Sequence, residues 1–238
     1  MKLIWTYSPK LNRSNKISHD DMLKLFYHSI ECGSKFHSTC VYTDTPEKFI
    51  GKVDEIIELP SDFEIYFLDD IKFYVMENES SDYTLIDGDL FIDSPIKNVS
   101  PNIGTEVYIS HRAGIHYEKY NRVLESEGVI DIIPYWKSSL GYYNLGLIQI
   151  NKFQHKEFII DYKKLKQFYK DKIEGIYFNR KNECVEISLC TYFFTLFNMY
   201  KMNKHTELLK SSYIHLCGPT EDSKLKFIAM LNSTPSII

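Results

Sequence analysis

An apolar run, a capped helix and a second apolar run open the chain, and this order restricts the fold more than any other feature. Residues 3–7 (Leu-Ile-Trp-Thr-Tyr) form a short apolar stretch stopped by Ser8-Pro9, which reads as a buried first strand. Ser18 can cap a helix whose first turn carries Asp20 and Asp21. Leu23, Phe26, Tyr27 and Ile30 then recur at helical spacing, and Gly33 is expected to end the pattern. A second strand follows over residues 39–43, closing at Asp44. Two strands joined by a helix favour a parallel pair, and so an α/β fold.

Further elements follow the same logic. Ile56–Leu59 reads as a third strand before Pro60, and Asp69 or Asp70 can cap a helix running to about Glu79. Tyr83–Ile86 is a strand, Leu90–Ile92 is apolar, and Glu106–Ser110 is a further strand. Helical patterns cover Tyr117–Glu127, the amphipathic set Phe158, Tyr162, Leu165 and Tyr169, and the apolar stretch 185–200. Asn144–Ile150 and residues 212–217 complete the strands. No internal repeat or linker divides the 238 residues, so one domain over 1–238 is expected.

Composition excludes several classes. No apolar run approaches the 18 or so residues of a membrane span, and the N-terminal residues lack a signal-peptide layout. The net charge is -4, and only four of the 28 basic residues are Arg (Arg13, Arg112, Arg122, Arg180). Base readout in DNA leans on Arg, so a sequence-reading DNA binder is disfavoured. Five cysteines (Cys32, Cys40, Cys184, Cys190, Cys217) with no C-x-x-C pair suggest reduced thiols in a cytoplasmic protein. There is no P-loop, no G-x-G-x-x-G and no G-x-S-x-G.

The sharpest chemical feature is Asp87-Gly88-Asp89 at the end of an apolar strand. Two carboxylates one residue apart can share a divalent ion, and Gly88 leaves room for a diphosphate. Carboxylate and phosphate oxygens suit Mg²⁺ or Mn²⁺. The same tripeptide between two apolar runs is also a strong hairpin signal. His215, at a strand end, can complete a metal site; Gly218 permits close phosphate approach, and Lys224 can neutralise a phosphate. Asn144 could bond a sugar hydroxyl, though on its own a turn into a strand is the commoner reading. Glu186 is either a catalytic carboxylate or a first-turn acid, and Lys72 either reaches a phosphate or is solvated. His111, Arg112 and His116 read as loop polar residues.

In this order the features resemble nucleotide-sugar glycosyltransferases of the type A fold, with an Asp-x-Asp motif and a late His-x-x-Gly motif. The resemblance runs from Leu3 to about Lys226 as sparse landmarks. It implies a Rossmann-like mixed sheet flanked by helices, with the donor at the C-terminal ends of the strands. It implies Asp87, Asp89 and His215 as metal ligands, with Gly218 and Lys224 at the diphosphate. Tyr7 and Ser8 match the nucleotide-base position, and Asn144 a donor-sugar contact. It also implies Mn²⁺ or Mg²⁺, a UDP-sugar donor, a hydroxyl acceptor on a saccharide, protein or modified nucleobase, and retention of configuration. Five residues separate Gly218 from Lys224 where the family has two, and Leu225-Lys226 replaces the usual Pro-Trp. A degenerate nucleotide-sugar-binding protein and a sugar-phosphate nucleotidyltransferase are the alternatives on the same fold.

Overall fold

The computed structural model describes residues 1–11, 17–65, 70–98, 103–105, 108–109, 125–132, 142–143, 146–150, 156–168, 171, 206–208, 213–216 and 221–233. These fall into two compact units. The first comprises Met1–Ile65, Tyr83–Asn98 and Leu209–Ile238; the second comprises Tyr66–Asp82 and Val99–Leu208.

The first unit is built on four parallel strands: β1 (Lys2–Tyr7), β2 (Ser38–Thr43), β3 (Glu55–Glu58) and β4 (Tyr83–Ile86). β1 pairs with β2 on one side and β4 on the other, and β3 extends the sheet beyond β2. Helix α1 (His19–Ser34) connects β1 to β2, as the apolar periodicity predicts. Ser18 caps it by accepting the Asp21 N–H at 3.1 Å. Leu3, Ile4 and Trp5 are consecutive and fully buried, which fits a strand covered on both faces.

Gly33 has a different role from the expected helix stop. It lies inside α1, and the C-cap is Lys35 in ordinary right-handed geometry. A Cβ at Gly33 would sit 2.7 Å from Cη2 of Trp5, so the glycine lets the helix lie close against β1. The Trp5 indole N–H donates to Ser29 Oγ on the same helix at 2.9 Å.

The hairpin expected as one reading of Asp87-Gly88-Asp89 does not form. β4 joins the parallel sheet, whereas β5 (Leu90–Ile92) pairs antiparallel with β11 (Tyr213–His215). The tripeptide is thus a link between two sheets. Helix α5 (Glu221–Ser233), absent from the pattern of expected elements, closes this region. Its Leu225, Phe227, Ile228 and Leu231 join a core with Ile17, Leu25 and Phe91, and Phe227 stacks on Phe91 at 4.8 Å between centroids.

The second unit holds α2 (Asp70–Asn78), β6 (Ile103–Thr105), β7 (Tyr108–Ile109), α3 (Val129–Ile132), β8 (Tyr142–Tyr143), β9 (Leu147–Ile150), α4 (Lys156–Phe168) and β10 (Thr206–Leu208). β6 pairs parallel with β10 and antiparallel with β9, so strand direction is mixed. Asp70 ties α2 to α4, accepting from Tyr162 Oη at 2.7 Å and Lys166 Nζ at 2.9 Å. β6 and β10 were not expected; each is only three residues long, too short for a readable alternation. Most of the expected helix Tyr117–Glu127 and all of 185–200 lie outside the described residues, as do Cys184, Cys190 and Cys217. Neither Cys32 nor Cys40 is in a disulfide. Among the described residues no helix is long and apolar enough to cross a membrane.

One histidine gives stability a pH dependence. The Ile96 N–H donates to His37 Nε2 at 2.9 Å, which requires a neutral ring. Burial, with help from the N-terminal charge, lowers the His37 pKa from its ordinary 6.5. Below about that value the unfolded chain binds a proton that the folded one resists, so this contribution is complete above pH 6.5 and fades as pH falls. Urea midpoints should therefore drop between pH 7 and 5 more steeply for the wild type than for His37→Gln. Parallel curves for the two proteins would contradict this role.

Candidate metal centre

Chain topology locates a crevice before any side chain is considered. In the order β4-β1-β2-β3, the chain runs outward from β1 through β2 to β3, then returns to the other side of β1. In open α/β sheets such a reversal leaves a crevice at the C-terminal strand ends, where ligands bind. The residues at those ends are Tyr7-Ser8 after β1, Asp44 after β2 and Asp87 after β4.

Asp87, Asp89 and His215 meet there, each offering a ligand atom within 4.8 Å of the others. Strand register explains how a residue more than a hundred positions away arrives. His215 faces Leu90 across the β5–β11 pair, and the Leu216 N–H donates to the Asp89 carbonyl at 3.0 Å. His215 Nε2 then lies 3.3 Å from Asp89 Oδ1. Lys224, in the first turn of α5, places Nζ 2.5 Å from Asp89 Oδ2. The packing of Leu225 and Ile228 on the core holds that turn in position.

Asp89 is 12% exposed and His215 6%. Burial alone would raise the Asp89 pKa; hydrogen bonding to His215 and the Lys224 charge overcome it and hold the carboxyl well below the usual carboxylate range. Asp89 is therefore an anion at neutral pH.

Two neighbours shape the loop from behind. Ser29 Oγ donates to the Leu90 carbonyl while accepting from Trp5, so α1 fixes the start of β5. At Gly88, the space a side chain would take is filled by the Phe26 ring. Gly88 thus has a packing reason to be glycine, separate from any diphosphate. Gly88→Ala must displace that ring, and overpacking of this kind costs about 1–3 kcal/mol. Urea unfolding should show a loss in that range, and Gly88→Ala should cost less in a Phe26→Ala background than in the wild type. An unchanged midpoint for Gly88→Ala would contradict the packing role.

Asp44 is a residue that sequence reasoning missed. Its Oδ2 accepts from Ser8 Oγ at 2.9 Å and pairs with Lys10 Nζ at 3.3 Å. Its Oδ1 is buried with no hydrogen-bond partner among the described residues. Buried acceptors are nearly always satisfied, so this one points to a missing donor. Its only sequence signal was an Asp at a strand end, which reads as a turn residue. The expected base contacts lie beside it. Ser8 is buried, and the Tyr7 ring packs edge-on against Phe26 and Phe49. Burial first, then the charges of Tyr27, Asp44 and Asp20, push the Tyr7 phenol up, so it stays neutral.

Lys72 lies on α2 in the second unit and is largely buried. Asn144, Glu186 and Gly218 lie outside the described residues. So does the His111, Arg112 and His116 group.

No protein-family model matches the chain, and no curated protein matches it. Among solved structures it is similar to the glycosyltransferase GlyE of Streptococcus pneumoniae TIGR4, at 10% identity and TM-score 0.46 over 88% of this chain. It spans less than half of GlyE, 45% of that chain. It is also similar to mouse xyloside xylosyltransferase 1, at 9% identity and TM-score 0.42, over 88% of this chain and 85% of that one. A third is the inositol-1-phosphate CTP transferase of T. maritima, at 9% identity and TM-score 0.45, over 98% and 96%. At such scores these likenesses carry no weight for activity, which has to come from the side chains.

Proposed function

We propose that this chain is a metal-dependent glycosyltransferase that moves a sugar from a nucleotide-sugar donor, a UDP-sugar by preference, to a hydroxyl acceptor. The observation that carries the proposal is the meeting of Asp87, Asp89 and His215 beside Lys224. Two carboxylates and an imidazole are a hard-to-borderline donor set that suits Mn²⁺ or Mg²⁺. Asp89 is an anion, and its carboxylate, that of Asp87 and the His215 imidazole offer ligand atoms within 4.8 Å of one another, so the residues present fit such an ion. When bound, the ion would offset charge building up on the departing nucleoside diphosphate.

The chain's own residues divide the remaining work. Lys224 offers a mobile positive charge to a phosphate oxygen. Asp44 Oδ1 accepts an N–H or O–H from the nucleoside, with Ser8 holding the carboxylate in place. Tyr7 supplies an edge of apolar surface beside it. Once the diphosphate is seated, positive charge gathered around the leaving group stabilises the charge it develops. Gly218 and Lys72 as further phosphate contacts, Asn144 as a donor-sugar contact and Glu186 as an acceptor-side carboxylate belong to the same proposal. So do retention of configuration, a saccharide, protein or modified-nucleobase acceptor, and a cytoplasmic location.

The test is turnover of a panel of nucleotide sugars by purified protein with Mn²⁺. Slow donor hydrolysis that requires both Mn²⁺ and Asp89 is the expected result. Donor binding without turnover would place the chain among binding proteins. Pyrophosphate release from a nucleoside triphosphate and a sugar phosphate would make it a nucleotidyltransferase.

A further inference from the structure

We propose that Lys224 is an internal counter-ion that occupies Asp89 until a diphosphate draws it away, so that the site takes a divalent ion together with a nucleotide and resists the free ion. It rests on the transferase function proposed for the same site. Both oxygens of Asp89 are engaged: Oδ1 faces His215 at 3.3 Å, and Oδ2 faces Lys224 at 2.5 Å. With the ammonium in place, the two carboxylates and Lys224 sum to a single negative charge. Without it they carry two, which matches a divalent cation.

The helix does not explain why Lys224 sits where it does. The first turn of α5 is the positive end of a helix dipole, a position that disfavours a cation. Asp89 is the group that offsets this. Lys224 is 24% exposed and its stem is flexible, whereas Leu225, Ile228 and Leu231 anchor the helix. The ammonium can therefore swing from a carboxylate to a phosphate oxygen without unseating α5. A diphosphate brings several negative charges, which attract Lys224 and the divalent ion at once. By linkage, nucleotide and ion then raise each other's affinity by the same factor.

The experiment measures Mn²⁺ affinity for the full chain, with and without UDP, corrected for Mn²⁺–UDP association in solution. Lys224→Gln keeps a donor for Asp89 but removes the charge, and Lys224→Arg keeps the charge. Without UDP, Lys224→Gln should bind Mn²⁺ about tenfold tighter than wild type, and UDP should add less further affinity. Lys224→Arg should bind Mn²⁺ alone as weakly as wild type. Equal or weaker Mn²⁺ binding by folded Lys224→Gln, or tighter binding by Lys224→Arg, would overturn the counter-ion role and leave the metal site standing. No Mn²⁺ binding by any of the three proteins, even with UDP, would overturn both the counter-ion and the transferase function.

Discussion

Replacing Asp89 with alanine is expected to lower Mn²⁺-dependent donor hydrolysis by about 10²–10³-fold, the scale seen when one preorganised charge-stabilising group is lost. Asp89 has this leverage because two other members of the site lie on its carboxylate and a third sits close by. His215 and Lys224 both lie on its carboxylate, and Asp87 is two residues away. The substitution should also weaken Mn²⁺ binding, since it removes a ligand and leaves Lys224 without the anion that offsets it. The fold should survive, because Lys224 is partly exposed and can turn to water. Donor hydrolysis and Mn²⁺ affinity, measured together with circular dichroism, check this. Retained Mn²⁺-dependent turnover in a folded Asp89→Ala protein would remove the site from the mechanism.

The largest stability effect is expected at Trp5. Its side chain is fully buried, its indole N–H donates to Ser29, and its ring lies against Gly33. Trp5→Ala opens a cavity between β1 and α1 and takes a partner from Ser29, which also holds the Leu90 carbonyl. Losses of about 3–5 kcal/mol are typical for such a truncation. Against a total of about 5–15 kcal/mol, that is a large share of the stability. Trp5→Phe keeps most of the volume and should cost clearly less. Urea unfolding of both variants checks the prediction; a loss below about 1 kcal/mol for Trp5→Ala would contradict the packing described for this strand and helix.

How much of this was legible in the sequence depends on how local the determining interaction is. β1, α1 and β2 were readable because apolar spacing and the Ser18 cap act within one segment. Gly33 misled because a glycine near a helix end suggests a stop; its packing against Trp5 depends on a residue 28 positions earlier. Asp87-Gly88-Asp89 fitted a hairpin and a metal loop equally well. The hairpin is ruled out by β11, whose pairing with β5 is invisible to any local pattern. Helix α5 escaped notice because Phe227-Ile228-Ala229-Met230-Leu231 is apolar without a break, so no stripe stands out from a polar face. Lys224 shows the same point at the site. Its spacing from Gly218 departs from the family pattern, yet the helix turn delivers it to Asp89. Asp44 had only a strand-end position to mark it, and its buried Oδ1 is a product of the fold.

Central to this account is one divalent ion shared by Asp87, Asp89 and His215. The most direct measurement is anomalous diffraction from crystals grown with Mn²⁺ and UDP. A single strong manganese peak at both carboxylates and the His215 imidazole is expected, with Lys224 turned toward the diphosphate. UDP bound without manganese at these three residues, or manganese only elsewhere, would contradict it.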